Sequence, residues 1–236
     1  MLQRTLTCKK CGSAALRKNG SLKGQPKYQC TTCRYQAVFT PAAARKAAQY
    51  AQVEKLLVER VSQRAIVRLT GVSRPTIVKL AKKAQRTLPS CHPPSRPRML
   101  ELDEMWTFVG RKKHKMWLWL AVERHTRRIV AWVLGTRGTA TARRLWQQLP
   151  AHYRTGTWYY TDEWEAYRNV LPALAHRPSA KGSGQTSIVE AINCSLRQKC
   201  AVLVRKTCSF SRSPLMHRVR IQLVIDEHNR RIEAQA

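Results

Sequence analysis

The 236-residue sequence predicts an α/β protein in which a mixed-sheet domain follows two smaller modules, a cysteine-bearing ribbon and an all-α unit. Three observations carry that prediction. Two C-x2-C pairs stand near the amino terminus. Residues 62–85 spell helix, glycine turn, helix. Beyond residue 98, three strand-like runs precede an alternation of helices and strands. The joint is "TLPSCHPPSRPRM", residues 87–99, with four prolines and no apolar period, so it reads as linker. The expected organisation is 1–40, 41–88, a linker at 89–98, and 99–236, and a 43% hydrophobic composition supplies one sizeable core plus small satellites.

Charge narrows the partners. The formal net charge is +31, with 21 Lys and Arg against two acids up to residue 98 and 23 against 11 beyond it. From Arg60 through Leu100 there is no acid at all. Such a chain raises the local concentration of a polyanion and gains from counterion release, so double-stranded DNA is the expected partner. No run approaches the ~18 apolar residues of a membrane span, and "MLQRTLTCKK" lacks the apolar stretch of a secretory signal. The expected place is the cytoplasm or wherever the genome lies, with no membrane partner.

In the first module Cys8, Cys11, Cys30 and Cys33 form C-x2-C, eighteen residues, C-x2-C. Two such knuckles bring four thiolates to one tetrahedral centre, and the intervening length suits two short strands turning at Asn19-Gly20 and near Gly24. Structural Zn2+ is the expected occupant, giving a zinc-ribbon-like module. Two disulfides or a redox C-x-x-C are the alternatives. Cys91, Cys194, Cys200 and Cys208 have no comparable spacing and read as buried or incidental thiols.

The second module begins with a helix capped by Thr40 and started by Pro41. Its apolar part, within residues 41–61, is a candidate oligomer interface. Ser62 then caps a helix whose Ala65, Ile66 and Leu69 face inward, Gly71 turns the chain, Val72 is buried, and Ser73 caps a second helix with Ile77, Leu80 and Ala81 inward. That leaves Arg74, Thr76, Lys79, Lys82 and Lys83 outward, where a helix-turn-helix presents groove-reading side chains. A plain helical hairpin with a solvated basic face is the alternative.

In the third module "MLELDEMWTFVG", "MWLWLAV" and "RIVAWVLGT" make an antiparallel meander joined by "RKKHK" and "RHTRR". A helix in "ATARRLWQQLP" follows, then a strand in "GTWYYTDEW", a short helix in "EAYRNVLPAL", a brief strand near "LAHRPS", and a helix from about Ser187 through "IVEAINCSLRQKCAVL". The order β-β-β-α-β-α-β-α is that of a ribonuclease H-like mixed sheet. In such a sheet Asp103, mid-strand in the first strand, and Asp162, at the end of the fourth, are neighbours. Two adjacent carboxylates repel unless a hard cation bridges them. Glu190 on the last helix closes the set, with Asn193 and Arg197 on its face. Three acids from distant segments can hold two Mg2+ ions for in-line attack on a phosphodiester. The plainer readings are a wet strand edge for Glu101 and Asp103, a turn residue for Asp162, and a first-turn acid for Glu190.

These motifs resemble the transposases of the insertion-sequence-one type, a branch of the DDE transposases. "DEMWTFVG" is similar to the first-aspartate motif, "TDEW" to the second, and Glu190, Asn193, Arg197 and Gln198 to the glutamate helix. "RKTCSFSRS" followed by His217 resembles the segment after it. The resemblance implies that Asp103, Asp162 and Glu190 hold catalytic Mg2+ or Mn2+, that Arg197 contacts DNA beside the glutamate, and that the front modules read terminal inverted repeats. It further implies 3'-end cleavage followed by strand transfer into target DNA, by at least a homodimer. Ala191 and Ile192 stand where the family has more polar residues, and "VIDEHN" departs from its pattern, leaving Asp226 and Glu227 as rival third ligands. The competing functions are a zinc and helix-turn-helix repressor with an inactive catalytic domain, and a structure-selective nuclease.

Overall fold

The computed structural model describes residues 6–38, 42–84, 98–180, 182–204, 206 and 209–235. The chain splits into two compact units, Met1–Ala51 and Gln52–Ala236. Thr40, Pro41, the linker through Pro97, Cys91 and Cys208 lie outside the described residues. Arg98, expected in the linker, already begins a strand.

In the first unit β1 (Leu16–Leu22) pairs antiparallel with β2 (Gln25–Cys30), which pairs with β3 (Gln36–Ala37). The turn is at Lys23-Gly24, both left-handed. Asn19-Gly20, expected to be a turn, is instead where the β1 register shifts between Lys18 and Ser21, with Gly20 at φ 73°. A glycine at positive φ accommodates a bulge as readily as a turn, and the longer strand wins by keeping pairing on both sides. Cys8 and Cys30 are the buried centre, packed by Leu16, Tyr28, Cys33 and Ala37.

The second unit includes the end of α1 (Ala42–Leu57), then α2 (Gln63–Thr70) and α3 (Arg74–Ala84). Val53 and Leu57 of α1 are buried, Tyr50 and Leu56 are half-buried, and its exposed apolar residues beyond Lys46 are alanines. Ser62 caps α2 by accepting from the Ala65 N–H at 3.2 Å, and Gly71 ends it at φ 69° with its N–H on the Val67 carbonyl. Only a left-handed residue reverses the chain there, which is why glycine stands at that position. Ile66, Val72, Ile77 and Ala81 are buried as expected. Leu69 is not; it is 60% exposed. Thr70 turns inward in its place, its hydroxyl donating to the Ile66 carbonyl and accepting from the Val72 N–H. Ser73 meets the Thr76 hydroxyl at 2.9 Å.

The sheet comprises β4 (Arg98–Phe108), β5 (Lys115–Glu123), β6 (Ile129–Gly135), β7 (Thr157–Thr161) and β8 (His176–Pro178), in spatial order β6-β5-β4-β7-β8. The first three form the expected meander; β7 runs parallel to β4, and β8 parallel to β7. Between them lie α4 (Thr139–Gln148) and α5 (Glu165–Arg168); α6 (Ser187–Lys199) and α7 (Pro214–Glu233) complete the unit. Expected to reach about residue 203, α6 stops at Lys199. Cys200 turns extended, and a 3-10 turn buries Ala201, Val202 and Leu203.

Strand alternation sorts the core into two layers. Leu100, Leu102, Trp119 and Ala121 point to the α4 and α5 side, while Met105, Leu118, Leu120 and Val122 point to α6 and α7. Each fully buried leucine contributes ~1.5–3 kcal/mol. A register irregularity between Ala121 and Val122 lets Ile129 join one layer and Ala131 the other, although they are two apart in β6. On the α4 side Gly135 permits close approach, since a β-carbon there would collide with the Thr141 side chain.

Candidate functional site

β4 and β7 position the first two acids. Their parallel pairing matches Arg98 to Thr157 and Glu101 to Tyr160, an offset that, carried two residues further, sets Asp103 beside Asp162. The Asp103 side faces α6, where the Asn193 amide donates to Asp103 Oδ2 at 2.6 Å. Burial, together with repulsion from Asp162 and Glu190 and against the Glu104 N–H and Asn193 bonds, pushes the Asp103 carboxyl up to about 6. Asp162 lies just past β7 and accepts from the Trp164 N–H at 3.1 Å. Glu190, in the first turn of α6, is exposed and accepts from the Thr186 hydroxyl at 3.0 Å. Asn193 and half-buried Arg197 follow on the same helix. Among the described residues, none of the three acids is within ion-pair distance of a Lys or Arg, although the chain holds 44 of them. The rival acids have other partners: Asp226 accepts from Gln222 at 2.6 Å, and Glu227 pairs with Arg230 and Arg231 of its own helix.

The four cysteines form a tighter group. Cys8 and Cys33 Sγ are 3.5 Å apart, Cys11 and Cys30 Sγ 3.6 Å, and all four lie within 4.8 Å of one another. A tetrahedral ion with bonds of ~2.3 Å needs thiolate sulfurs about 3.8 Å apart, so the cluster has the dimensions of a metal site. Among the described residues it is the one group of three or more potential ligands that converges this closely. The Cys33 N–H, against burial and aided by the Thr32 N–H, holds the Cys30 thiol down to about 6. Gly12 follows the first knuckle at φ 73°.

Residues 99–230 match the IS1 transposase family. The chain belongs to that family. Insertion element IS1 protein InsB of Shigella flexneri is 39% identical over 117 residues, half of this chain and 86% of that one. The iso-IS1n InsB of Shigella dysenteriae is 35% identical over 128 residues, 54% of this chain and 94% of that one. IS1 4 protein InsB of Escherichia coli K12 is 38% identical over 117 residues, covering 50% and 67%. Among solved structures, a chain of the simian T-cell lymphotropic virus intasome in complex with PP2A regulatory subunit B56 gamma is 14% identical, with a TM-score of 0.36 over 65% of this chain and 58% of that one. Among the described residues of this IS1 transposase family member, no helix is long and apolar enough to cross a membrane.

Glu101 is not the wet strand edge that its position suggested. Glu101 is fully buried and shares the Asp103 face. Its Oε2 accepts from the N–H groups of Ile188 and Val189, both at 2.9 Å, and its Oε1 pairs with Arg124 at 2.7 Å. It therefore caps the first turn of the helix that carries Glu190, where the unbonded N–H groups and dipole favour a carboxylate. Arg124 continues the tie, donating to the Gln185 carbonyl at 2.6 Å and lying 3.9 Å over the Tyr160 ring. Glu104 points to the opposite layer, where burial pushes it up to about 7 despite Arg137 at 2.7 Å and the Tyr167 hydroxyl at 2.9 Å. The Arg137 guanidinium also sits 4.2 Å over Trp164, two residues after Asp162. The period-2 rule contained the signal for Glu101, which lies two before Asp103; nothing local named its partner 87 residues away.

The residues of α3 expected to face outward divide. Arg74, Lys79, Lys82 and Lys83 are exposed, and Thr76 is half-buried against Ser73. Arg74 also donates to Gln63 Oε1 of α2 at 3.3 Å.

Proposed function

We propose that this chain is a DNA transposase whose ribonuclease H-like domain cuts an element end and joins it to target DNA through Asp103, Asp162 and Glu190. The observation that carries this reading is the β4–β7 register, which extended two residues sets Asp103, mid-strand in β4, beside Asp162 just past the end of β7, with Asn193 of the Glu190 helix bonded to the first. A carboxyl held near pH 6 by burial and by two other acids, without a neighbouring cation among the described residues, fits a divalent ion. Mg2+ or Mn2+ held there would neutralise charge on the phosphodiester and make water a stronger nucleophile.

The chain's own groups then have defined work. Asn193 orients Asp103, Glu101 holds the start of α6 so that Glu190 faces the aspartates, and Arg197, seven residues along, is placed to meet the DNA backbone. Water attacks the phosphodiester at the element end, freeing a 3'-hydroxyl, and that hydroxyl attacks a target phosphodiester, joining to its phosphorus as the target strand's own 3'-oxygen leaves as a hydroxyl. No covalent protein intermediate is required, because positioning supplies the catalysis. Cys8, Cys11, Cys30 and Cys33 hold a structural Zn2+, and α2 and α3 act as a helix-turn-helix with Arg74, Thr76, Lys79, Lys82 and Lys83 toward DNA. Pairing two ends calls for a homodimer or larger assembly in the bacterial cytoplasm.

Incubation with labelled end-containing DNA and Mg2+ tests this. Cleavage followed by joined product is expected. Hydrolysis without joining would assign a nuclease, and tight binding without metal-dependent cleavage would assign a repressor.

A further inference from the structure

Inside the second unit, α2, α3, residues 201–202 and 209–213 and the start of α7 line a half-open cavity of about 480 Å³. Among the described residues five arginines line it, Arg64, Arg68, Arg74, Arg212 and Arg220, and no Asp or Glu does. Three helix amino termini converge on it as well: Ser62 caps α2, Arg74 opens α3, and Ser213 caps α7, and all three line the wall. Helix starts carry partial positive charge, so their fields add to the guanidinium charge rather than opposing it. Part of the wall, residues 209–213, belongs to the "SFSRS" stretch to which the catalytic reading gives no role.

Arg220 is the decisive residue. It is only 4% exposed, and its Nη2 donates to the carbonyls of Glu59 and Val61 at 3.4 and 3.1 Å. Its Nη1 is buried with no hydrogen-bond partner, and among the described residues no carboxylate pairs with it. A buried guanidinium without counter-charge is costly, and an anion arriving in the cavity would supply that charge. Arg64, Arg68 and Arg212 at the mouth are exposed and make no ion pair among the described residues.

We propose that this cavity is an anion site that takes a backbone phosphate of bound duplex DNA, so that one phosphate is gripped by the helical module and the sheet domain together. The proposal rests on the reading of the chain as a DNA-binding transposase. DNA is favoured over a free anion because Arg74, on the wall, also begins the exposed basic face that continues through Lys79, Lys82 and Lys83, roughly 13 Å along α3. A polyanion following that face reaches the cavity at its end.

The test uses the full chain and a triple variant, Arg64→Ala, Arg68→Ala and Arg212→Ala, all exposed positions whose melting temperature is checked against the parent. Affinity for a short duplex of arbitrary sequence is measured across salt concentrations. The slope of log affinity against log salt is expected to shrink by about one for each DNA phosphate that the variant no longer neutralises, and the matching triple lysine variant is expected to recover it. An unchanged slope overturns the proposal. A melting rise with inorganic phosphate that the triple variant loses, with the DNA slope intact, also overturns it, in favour of a small-anion site. The readout is binding, so a chain that grips DNA through this cavity but never cuts it sinks the transposase reading and leaves the cavity assignment standing.

Discussion

The chain holds two clusters of metal-type ligands, and they are built oppositely. Four cysteines in the first unit come within 4.8 Å of one another; three acids in the second share one region but do not converge to that distance. The difference follows from charge. Thiols pack as small apolar groups, and the Cys30 sulfur is met by the Cys33 and Thr32 N–H groups, whereas three carboxylates repel and must be held by something else. In this fold the holding is done by Asn193 on Asp103, the Trp164 N–H on Asp162, and Glu101 on the helix of Glu190. One site is closed by its ligands, the other by its surroundings.

The largest effect is expected at the closed site. Cys30→Ser should take zinc from one per chain to none by metal analysis and unfold the first unit, since metal binding in such modules supplies ~10 kcal/mol or more of folding free energy; unchanged zinc content would reject the four-thiolate site. Next, Asp162→Asn should lower metal-dependent strand cleavage roughly 10³-fold or more while leaving DNA affinity intact. Retained cleavage removes Asp162 from the catalytic set.

Glu101→Gln tests whether surroundings hold the acids together. It leaves Arg124 without its carboxylate, so a loss of about 3 kcal/mol is expected in denaturant unfolding, together with weaker protection of the Ile188 and Val189 amides from hydrogen exchange. Full stability and full protection would return Glu101 to the role of a bystander. The smallest effect concerns pH. His217 is fully buried, its Nε2 3.2 Å from the Thr107 hydroxyl and its Nδ1 without a partner, and burial pulls it from 6.5 down to about 4. The unfolded state therefore binds the proton first, and stability should fall as pH drops from about 6.5 toward 4, by on the order of 3 kcal/mol at most. His217→Asn should flatten that slope; an unaltered slope assigns the acid sensitivity elsewhere.

Much of this was legible in the residues. The meander, the α4 helix, the β7 strand before Asp162 and the Gly71 turn were all readable, because each depends on alternation, capping or a left-handed glycine within a few positions. Errors fell where two local solutions were close in energy. Asn19-Gly20 became a bulge, Leu69 yielded its inward place to Thr70, and α6 ended at Lys199 so that residues 201–203 could fill the core.

By itself the sequence determined what lies within one element: two cysteine knuckles, the Glu190, Asn193 and Arg197 spacing on α6, and a basic face on α3. The tertiary structure alone decided what lies between elements. Parallel pairing of β4 with β7 matched Glu101 to Tyr160, an offset of fifty-nine that, carried two residues further, brings Asp103 beside Asp162. A buried Glu101 met the start of α6, and Arg220 of α7 met the carbonyls after α1. Local spacing is set by the period of a helix or a turn, which any short window contains. Register between distant strands and the burial of a lone charge depend on how whole layers pack, and no short window contains that.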